Sequence, residues 1–148
     1  MDIKIVRPAA EHRSDWERLY AAYARFYKVE QTDGMRDRVW GWITNADEDE
    51  ECFLAVDQEE NVVGLAHFRQ FTRPLSASRG GFLDDLFVDP GVRGSGAAQA
   101  LIDSVADEGR KRGWTVIRWI TKDDNYRART VYDRLARKTE WLTYDLAL

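Results

Sequence analysis

The sequence predicts an α/β (α+β) chain. A single mixed, mostly antiparallel β-sheet is flanked by helices, all in one domain spanning residues 1–148. Three observations predict this. Strand-type runs cluster as hairpin neighbours and then alternate with helix-type runs, in the order β-α-α-β-β-β-α-β-α-β. A length of 148 residues fits one domain and is long enough to bury a core. Hydrophobic residues make up 44% and charged residues 32%, the balance of a globular chain rather than a disordered one.

Each element has its own signal. "IKIV" (3–6) is a short strand ended by Arg7-Pro8. "SDWERLYAAYARFYKV" opens with Ser14 and carries Glu17 three residues later, a capping-box pattern. Trp16, Leu19, Tyr20, Tyr23 and Tyr27 then fall on one helical stripe, which reads as core or dimer surface. "GMRDRVWGWITN" predicts a second helix, with Met35, Val39, Trp42 and Ile43 on one face. "ECFLAVD" and "NVVGLAHFRQF" are β-type runs joined by the polar "QEEN", a hairpin. "RPLSASRGG" reads as a loop and "FLDDLFV" (82–88) as a strand. A helix follows with Ala97, Ala98, Leu101, Ile102, Val105 and Ala106 at helical period, stopping near Gly113 after three basic residues. "TVIRWIT" is the next strand. "NYRARTVYDRLAR" is the last helix, and "WLTYDLAL" is expected to close the chain as a strand.

Bulk features narrow the function classes. No apolar run approaches the ~20 residues of a membrane span, and "MDIKIVRPAA" lacks a signal peptide's apolar stretch, so a cytoplasmic protein is expected. Cys52 is the single cysteine and has no internal disulfide partner. His12 and His67 are far apart, and no Cys/His spacing suggests a metal site. The net charge of −4 argues against a nucleic-acid partner. The acidic block "NADEDEEC" (45–52) is either a solvated loop or a lure for cationic substrates.

Three loci could carry chemistry. In "VDPGVRGSGAAQALI" a strand hands over to a helix through Arg93-Gly94-Ser95-Gly96. Unpaired N–H groups at a helix start, glycines that admit close approach and a nearby arginine together suit a pyrophosphate. The string lacks the P-loop pattern, and a dinucleotide fingerprint fails because Gln99 stands at its sixth position. What remains is R-x-x-G-x-A (Arg93, Gly96, Ala98), for which a plain turn and helix cap is the alternative. The second locus is the acid pair of "FLDDLFV". Strand alternation puts Asp84 with Leu86 and Val88 on one face and Asp85 with Phe87 on the other. A partly buried carboxylate there would gain basicity. The third is Tyr132, seven residues after Asn125, either a packing residue or a proton donor.

Taken together, these residues resemble the GNAT superfamily of N-acetyltransferases, most strongly from Phe82 to Ala136. "FLDDLFVDPGVRGSGAAQALI" looks like that family's acetyl-CoA strand, pyrophosphate loop and helix, and "NYRARTVY" like its N-x-x-A-x-x-x-Y segment. The acid pair before "LFV" is similar to the polyamine and diamine branch. The ending "YDRLARKTEWLTYDL" lacks the usual Gly-Phe and is more like the yeast Hpa-type branch, linked to histones, polyamines and D-amino acids. The resemblance implies acetyl-CoA as acyl donor and no metal. It implies backbone contacts from Leu86, Phe87 and Val88 to the pantetheine arm. It implies a pyrophosphate cradle from Arg93, Gly94, Ser95, Gly96, Ala97, Ala98 and Gln99. Asn125 is expected at the pantetheine end and Arg129 near the phosphates. Tyr132 is expected to protonate the departing thiolate. Asp84 is the candidate base, with Asp85 as competitor.

The expected activity is direct transfer of an acetyl group to a primary amine of a small, cationic acceptor. The alternatives are a protein or histone lysine acetyltransferase and a non-catalytic acyl-CoA-binding regulatory domain. A homodimer is expected from the richness in aromatics, six each of Trp, Tyr and Phe.

Overall fold

The computed structural model describes residues 2–148. Five strands form one sheet in sequence order: β1 (Lys4–Val6), β2 (Glu50–Val56), β3 (Val62–Arg73), β4 (Ser78–Val88) and β5 (Ile117–Arg118). The first four pair antiparallel, and β5 joins β4 in parallel. The four helices are α1 (Arg13–Phe26), α2 (Asp33–Ile43), α3 (Ala97–Arg112) and α4 (Tyr126–Leu135). The mixed sheet and the order of elements through α4 are those the sequence predicts. Among the described residues no helix is long and apolar enough to cross a membrane.

Strand alternation sends two apolar faces to two helical layers. On one side Cys52, Leu54, Val56, Val62, Leu65 and Phe87 meet Trp16, Leu19 and Tyr20 of α1 and Ile43 of α2. On the other, Ala55, Val63, Ala66, Phe68 and Leu83 meet Ala97, Leu101, Ile102 and Val105 of α3, with Tyr132 and Leu135 of α4 at the margin. The helical stripe of α3 is therefore buried as its period requires. An ion-pair cluster ties α3 to β2, with Arg112 reaching Glu51 (2.7 Å) and Glu108 (2.8 Å).

Several expectations need correcting. No strand forms over "WLTYDLAL": the segment stays unpaired, with Trp141, Leu142, Tyr144 and Leu146 exposed. A strand needs a neighbour's free edge, and β5 offers only two residues of it. Ser14 does not cap α1. The helix starts at Arg13 directly from a tight turn at Ala10–His12, where His12 Nδ1 accepts from the Ala9 N–H (2.9 Å). Thr32 caps α2, accepting from Met35 N (3.1 Å). The loop at 73–81 shrinks to a turn at Pro74–Ala77, because Ser78–Gly81 continue β4 against Arg73–Gln70 of β3.

The start of β5 is fixed by one indole. Trp114 lies in a slot between Gly81 of β4 and Gly109 of α3, and its Nε1 donates to Gln70 Oε1 (2.7 Å). A Cβ on Gly81 would run into the Trp114 ring, so a methyl there must displace the indole. Gly81→Ala is expected to lower stability by about 1–3 kcal/mol. Gly41→Ala, in open space on α2, should instead raise it by roughly 0.5–1 kcal/mol. Denaturant midpoints of the two variants check this.

Candidate active site

The centre of the site is an irregularity in β4. His67 pairs with Asp85, but the next β3 residue, Phe68, pairs with Leu83. Asp84 is thus an extra residue, a β-bulge. The bulge overturns the expected alternation of the acid pair. Leu83 and Leu86 turn to the α3 face. Asp84 and Asp85 both turn to the α1 face, where Asp84 meets Arg69 and Asp85 meets His67 and Tyr20. Glu50 at the start of β2 joins them, its carboxyl within hydrogen-bond reach of Asp84. Three carboxyls therefore crowd one patch of sheet.

Their surroundings differ. Asp85 Oδ2 receives the Tyr20 hydroxyl (2.8 Å) and stands 2.8 Å from His67 Nδ1. Trp16 Nε1 can only donate, and it donates to His67 Nε2 (3.0 Å). The ring proton must then sit on Nδ1, aimed at Asp85. Burial opposes the Asp85 charge, but hydrogen bonds from His67, Tyr20 and Tyr23 outweigh it and hold this carboxyl below the usual range. Burial and then the Asp85 charge hold the Tyr20 and Tyr23 phenols far above theirs, so both stay protonated donors. Asp84 has one partner: Arg69 Nε, 3.1 and 3.3 Å from its two oxygens. Glu50 behaves oppositely to Asp85. Burial, then its approach to Asp84 and the Asp85 charge, push it up to about 9 against the pull of Arg69.

The aromatic stripe of α1 is the wall of this site. Tyr20 stacks on Tyr23 (5.9 Å), Tyr23 meets Phe87 (5.5 Å) and Tyr27 (5.0 Å), and the Tyr27 hydroxyl accepts from Asn125 Nδ2 (3.4 Å). Asn125 is the N-cap of α4, with Oδ1 accepting from Ala128 N (3.4 Å). Tyr132, two turns into α4, packs edge-on against Trp119 (5.3 Å). Burial, then Tyr27, push its phenol up to about 12, so it is protonated at neutral pH. The ladder thus links the carboxyls of β4 to Asn125 and Tyr132 of α4.

Between these two ends β4 has a free edge. β5 pairs only with Gly81 and Phe82, so the strands part from Leu83 onward. The Asp89 N–H returns to Val63 O (2.8 Å). Alternation then turns the N–H and C=O of Leu86 and Val88 to the open edge and those of Phe87 to β3. The expectation for Phe87 is corrected accordingly: its ring lines the α1 face, but its backbone faces β3, with its carbonyl close to Gly64. The open edge runs into the turn before α3. Gly94 (φ +87°) and Gly96 (φ +86°) take the left-handed conformation that favours glycine. Among the described residues, the N–H groups of Gly94, Gly96, Ala98 and Gln99 donate to no protein acceptor. The Ala97 N–H makes only a long bond to Ser95 Oγ (3.4 Å). Arg93 is exposed beside them. An edge with paired strand groups, ending in a nest of free N–H groups, fits an extended pantetheine arm and a pyrophosphate. Arg129 is placed less directly: its guanidinium binds the Asp123 carbonyl.

Other features lie away from this convergence. Cys52 is fully buried, and burial holds its thiol well above the usual range. A groove of about 600 Å³ lies at the far end of the β3–β4 hairpin, between residues 72–79 and Arg112-Gly113. Two of its arginines are engaged, Arg73 with Thr115 and Arg112 with Glu51. The acidic block divides. Asp47, Glu48 and Asp49 stay exposed, Glu51 pairs with Arg7 and Arg112, and Glu50 alone enters the site.

Residue patterning reached Glu50 only as part of the acidic block 45–52, and passed over His67, Arg69 and Tyr20 as site residues. The available signals were a histidine and an arginine inside an apolar strand, and a tyrosine-rich helical face. Neither says which face the acids of a neighbouring strand will take.

Comparisons with known proteins agree with this geometry. A model of the Acetyltransferase (GNAT) family matches residues 16–136. The D-amino-acid N-acetyltransferase HPA3 of Saccharomyces cerevisiae is 24% identical over 143 residues, 96% of this chain and 88% of that one. Among solved structures, the ribosomal-protein-alanine N-acetyltransferase from Brucella melitensis biovar Abortus 2308 superimposes with a TM-score of 0.84 at 24% identity, covering all of both chains. The acetyltransferase AAC(6')-Iy, in complex with the bisubstrate analogue CoA-S-monomethyl-acetylneamine, gives 0.84 at 21%, covering 100% and 99%. At these identities the structural neighbours speak for the fold alone. The family match spans most of the chain, and with the strand-turn-helix geometry it settles the class: this chain is an N-acetyltransferase of the GNAT family.

Proposed function

We propose that the protein transfers an acetyl group from acetyl-CoA directly to a primary amine of a small, net-cationic acceptor. The observation that carries this reading is the placement of Glu50, Asp84 and Asp85 on one face of the sheet, beside the open edge of β4, with Arg69 as their nearest cation. Such a patch attracts an ammonium and disfavours a carboxylate. The yeast relative is named for D-amino acids, which carry both groups. The charge balance here favours an acceptor without the carboxylate.

Roles follow from the donor inventory. Asp85 is held ionised by its hydrogen bonds from His67 and Tyr20, which makes it a poor proton acceptor and a fixed negative charge for the ammonium. Asp84, held by Arg69 as its one cation and 28% exposed, is the base, reached through water. The amine attacks the thioester carbonyl once deprotonated. Backbone N–H groups of the open β4 edge, that of Val88 among them, stabilise the oxyanion. Tyr132, protonated at neutral pH, supplies the proton to the departing CoA thiolate. Leu86 and Val88 hold the pantetheine arm. The turn from Arg93 to Gln99 holds the pyrophosphate, with Arg93 as the adjacent charge, and Asn125 orients the pantetheine end. Cys52 takes no part.

We infer a homodimer as the assembly. The uncovered apolar side chains from Trp141 to Leu146 are the kind of surface a second copy buries. Sedimentation at micromolar concentration tests this, and a monomer there removes it.

The first test is calorimetric titration with acetyl-CoA, followed by thiol-release assays on an amine panel that includes polyamines, D-amino acids and a basic peptide. Selective turnover of D-amino acids or of the peptide would overturn the acceptor assignment. Tyr132→Phe should lower kcat about 100-fold or more while leaving acetyl-CoA affinity unchanged; an unaltered kcat removes Tyr132 from the acid role. Gly96→Asp should weaken acetyl-CoA binding at least about tenfold beyond Gly96→Ala, which shares its backbone strain without the charge. Equal affinities of the two variants would disprove the cradle.

A further inference from the structure

Glu50 is the one carboxyl of the patch that the protein leaves without a donor. Asp84 takes the Arg69 guanidinium, and Asp85 takes Tyr20 and His67. Glu50 Oε2 is sealed from solvent and has no hydrogen-bond partner. What stands beside this carboxyl is another acid, Asp84. A buried carboxylate oxygen without a donor is costly. Two carboxyls in contact relieve that cost when one holds a proton and donates it to the other.

The groups that face Glu50 from each packed element support this arrangement. β4 presents Asp84 and Asp85, both raising its proton affinity. β3 presents Arg69, which opposes them but is already bound to Asp84. From α1 comes the Tyr20 phenol, committed to Asp85. Its own strand presents the buried Cys52. The charges of α2 are engaged elsewhere, Arg36 with Asp33 and Glu17, and Asp37 with Arg13.

We propose that Glu50 and Asp84 share one proton in the free enzyme, and that the ammonium of the acceptor takes that proton's place on binding. This inference rests on the acceptor reading above and makes Glu50 a positioning residue for it. The balance is simple. The free pair carries one proton and one negative charge. The incoming ammonium supplies N–H donors to both carboxylates, and the displaced proton leaves to solvent. When the bound ammonium later yields its own proton to Asp84, the pair regains its single proton and the cycle restarts. Acceptor capture is therefore coupled to proton release. Below the titration range of the pair, acceptor affinity should rise about tenfold per pH unit, because one proton departs for each acceptor bound.

Carboxyl-labelled glutamate, followed by carbon NMR through a pH titration of the free enzyme, tests the shared proton without any substrate. One resonance, absent in Glu50→Gln, should titrate several pH units above the other glutamates and return toward them in Asp84→Asn. A Glu50 resonance within the ordinary range overturns the proposal, whatever the enzyme acetylates. Near neutral pH, with CoA present, putrescine should drive that resonance to its carboxylate position; no movement overturns the coupling. Acetyl-CoA titration in the same samples separates this failure from failure of the acetyltransferase reading. Stability supplies a further readout. The raised group binds its proton in the folded state, so its contribution is full at low pH and is lost as pH rises through about 9. The melting temperature of the wild type should fall relative to Glu50→Gln over that rise. Parallel curves for the two proteins would sink the idea.

Discussion

The site depends on one surplus residue. Opposite the His67–Phe68 step of β3, β4 spends three residues where regular pairing needs two, and the surplus is Asp84. A bulge lets consecutive side chains share a face and bends the strand that carries it. Both effects matter here. Asp84 and Asp85 come to lie together under α1, and beyond the bulge β4 runs on without β5, which pairs only at Gly81 and Phe82. The acids and the open edge are therefore adjacent, one on the face of the strand and the other along its side. On the proposed reading, an acceptor at the acids and a thioester along the edge would meet at the same few residues.

Polar groups at this depth must be matched, and the core is built to match them. Trp16, among the most deeply buried side chains, fixes the His67 tautomer by donating to Nε2. His67 and Tyr20 then satisfy Asp85. An unmatched buried group would cost on the order of 1–3 kcal/mol, more if charged, so this chain of bonds fixes the orientation of every member. The same network separates the two aspartates chemically. Asp85 takes Tyr20 and His67 on one oxygen and keeps its charge; Asp84 has Arg69 on one side and the Glu50 carboxyl on the other. Identical side chains, adjacent in sequence, thus acquire different hydrogen-bond partners from the register of the sheet.

The far end of the site is governed by backbone rather than side chains. Positive φ at Gly94 and Gly96 leaves a row of N–H groups pointing into open space at the start of α3, where the helix dipole adds to them. The aromatic ladder from Tyr20 to Tyr27 runs from the acids to α4, where the Tyr27 hydroxyl accepts from Asn125 Nδ2. A stripe that reads as simple packing on α1 is the wall between the acids and α4.

The sequence by itself determined what short-range physics controls. The period of α3, the hairpin of β2 and β3, the glycine turn after β4 and the phenol of α4 are all written in local spacing, and all stand where that spacing puts them. Local spacing also carries the family. It failed where the outcome depends on a neighbour. The last strand, 141–148, has the right alternation but no edge to pair with. The alternation of Asp84 and Asp85 was broken by a bulge that exists only in the register between two strands. Glu50, inside an acidic run whose other members face solvent or arginines, entered the site because β2 begins there and pairs it with Arg69. Strand register, edge availability and the proton shared between carboxyls distant in sequence are properties of the assembled sheet, and only the tertiary structure decides them.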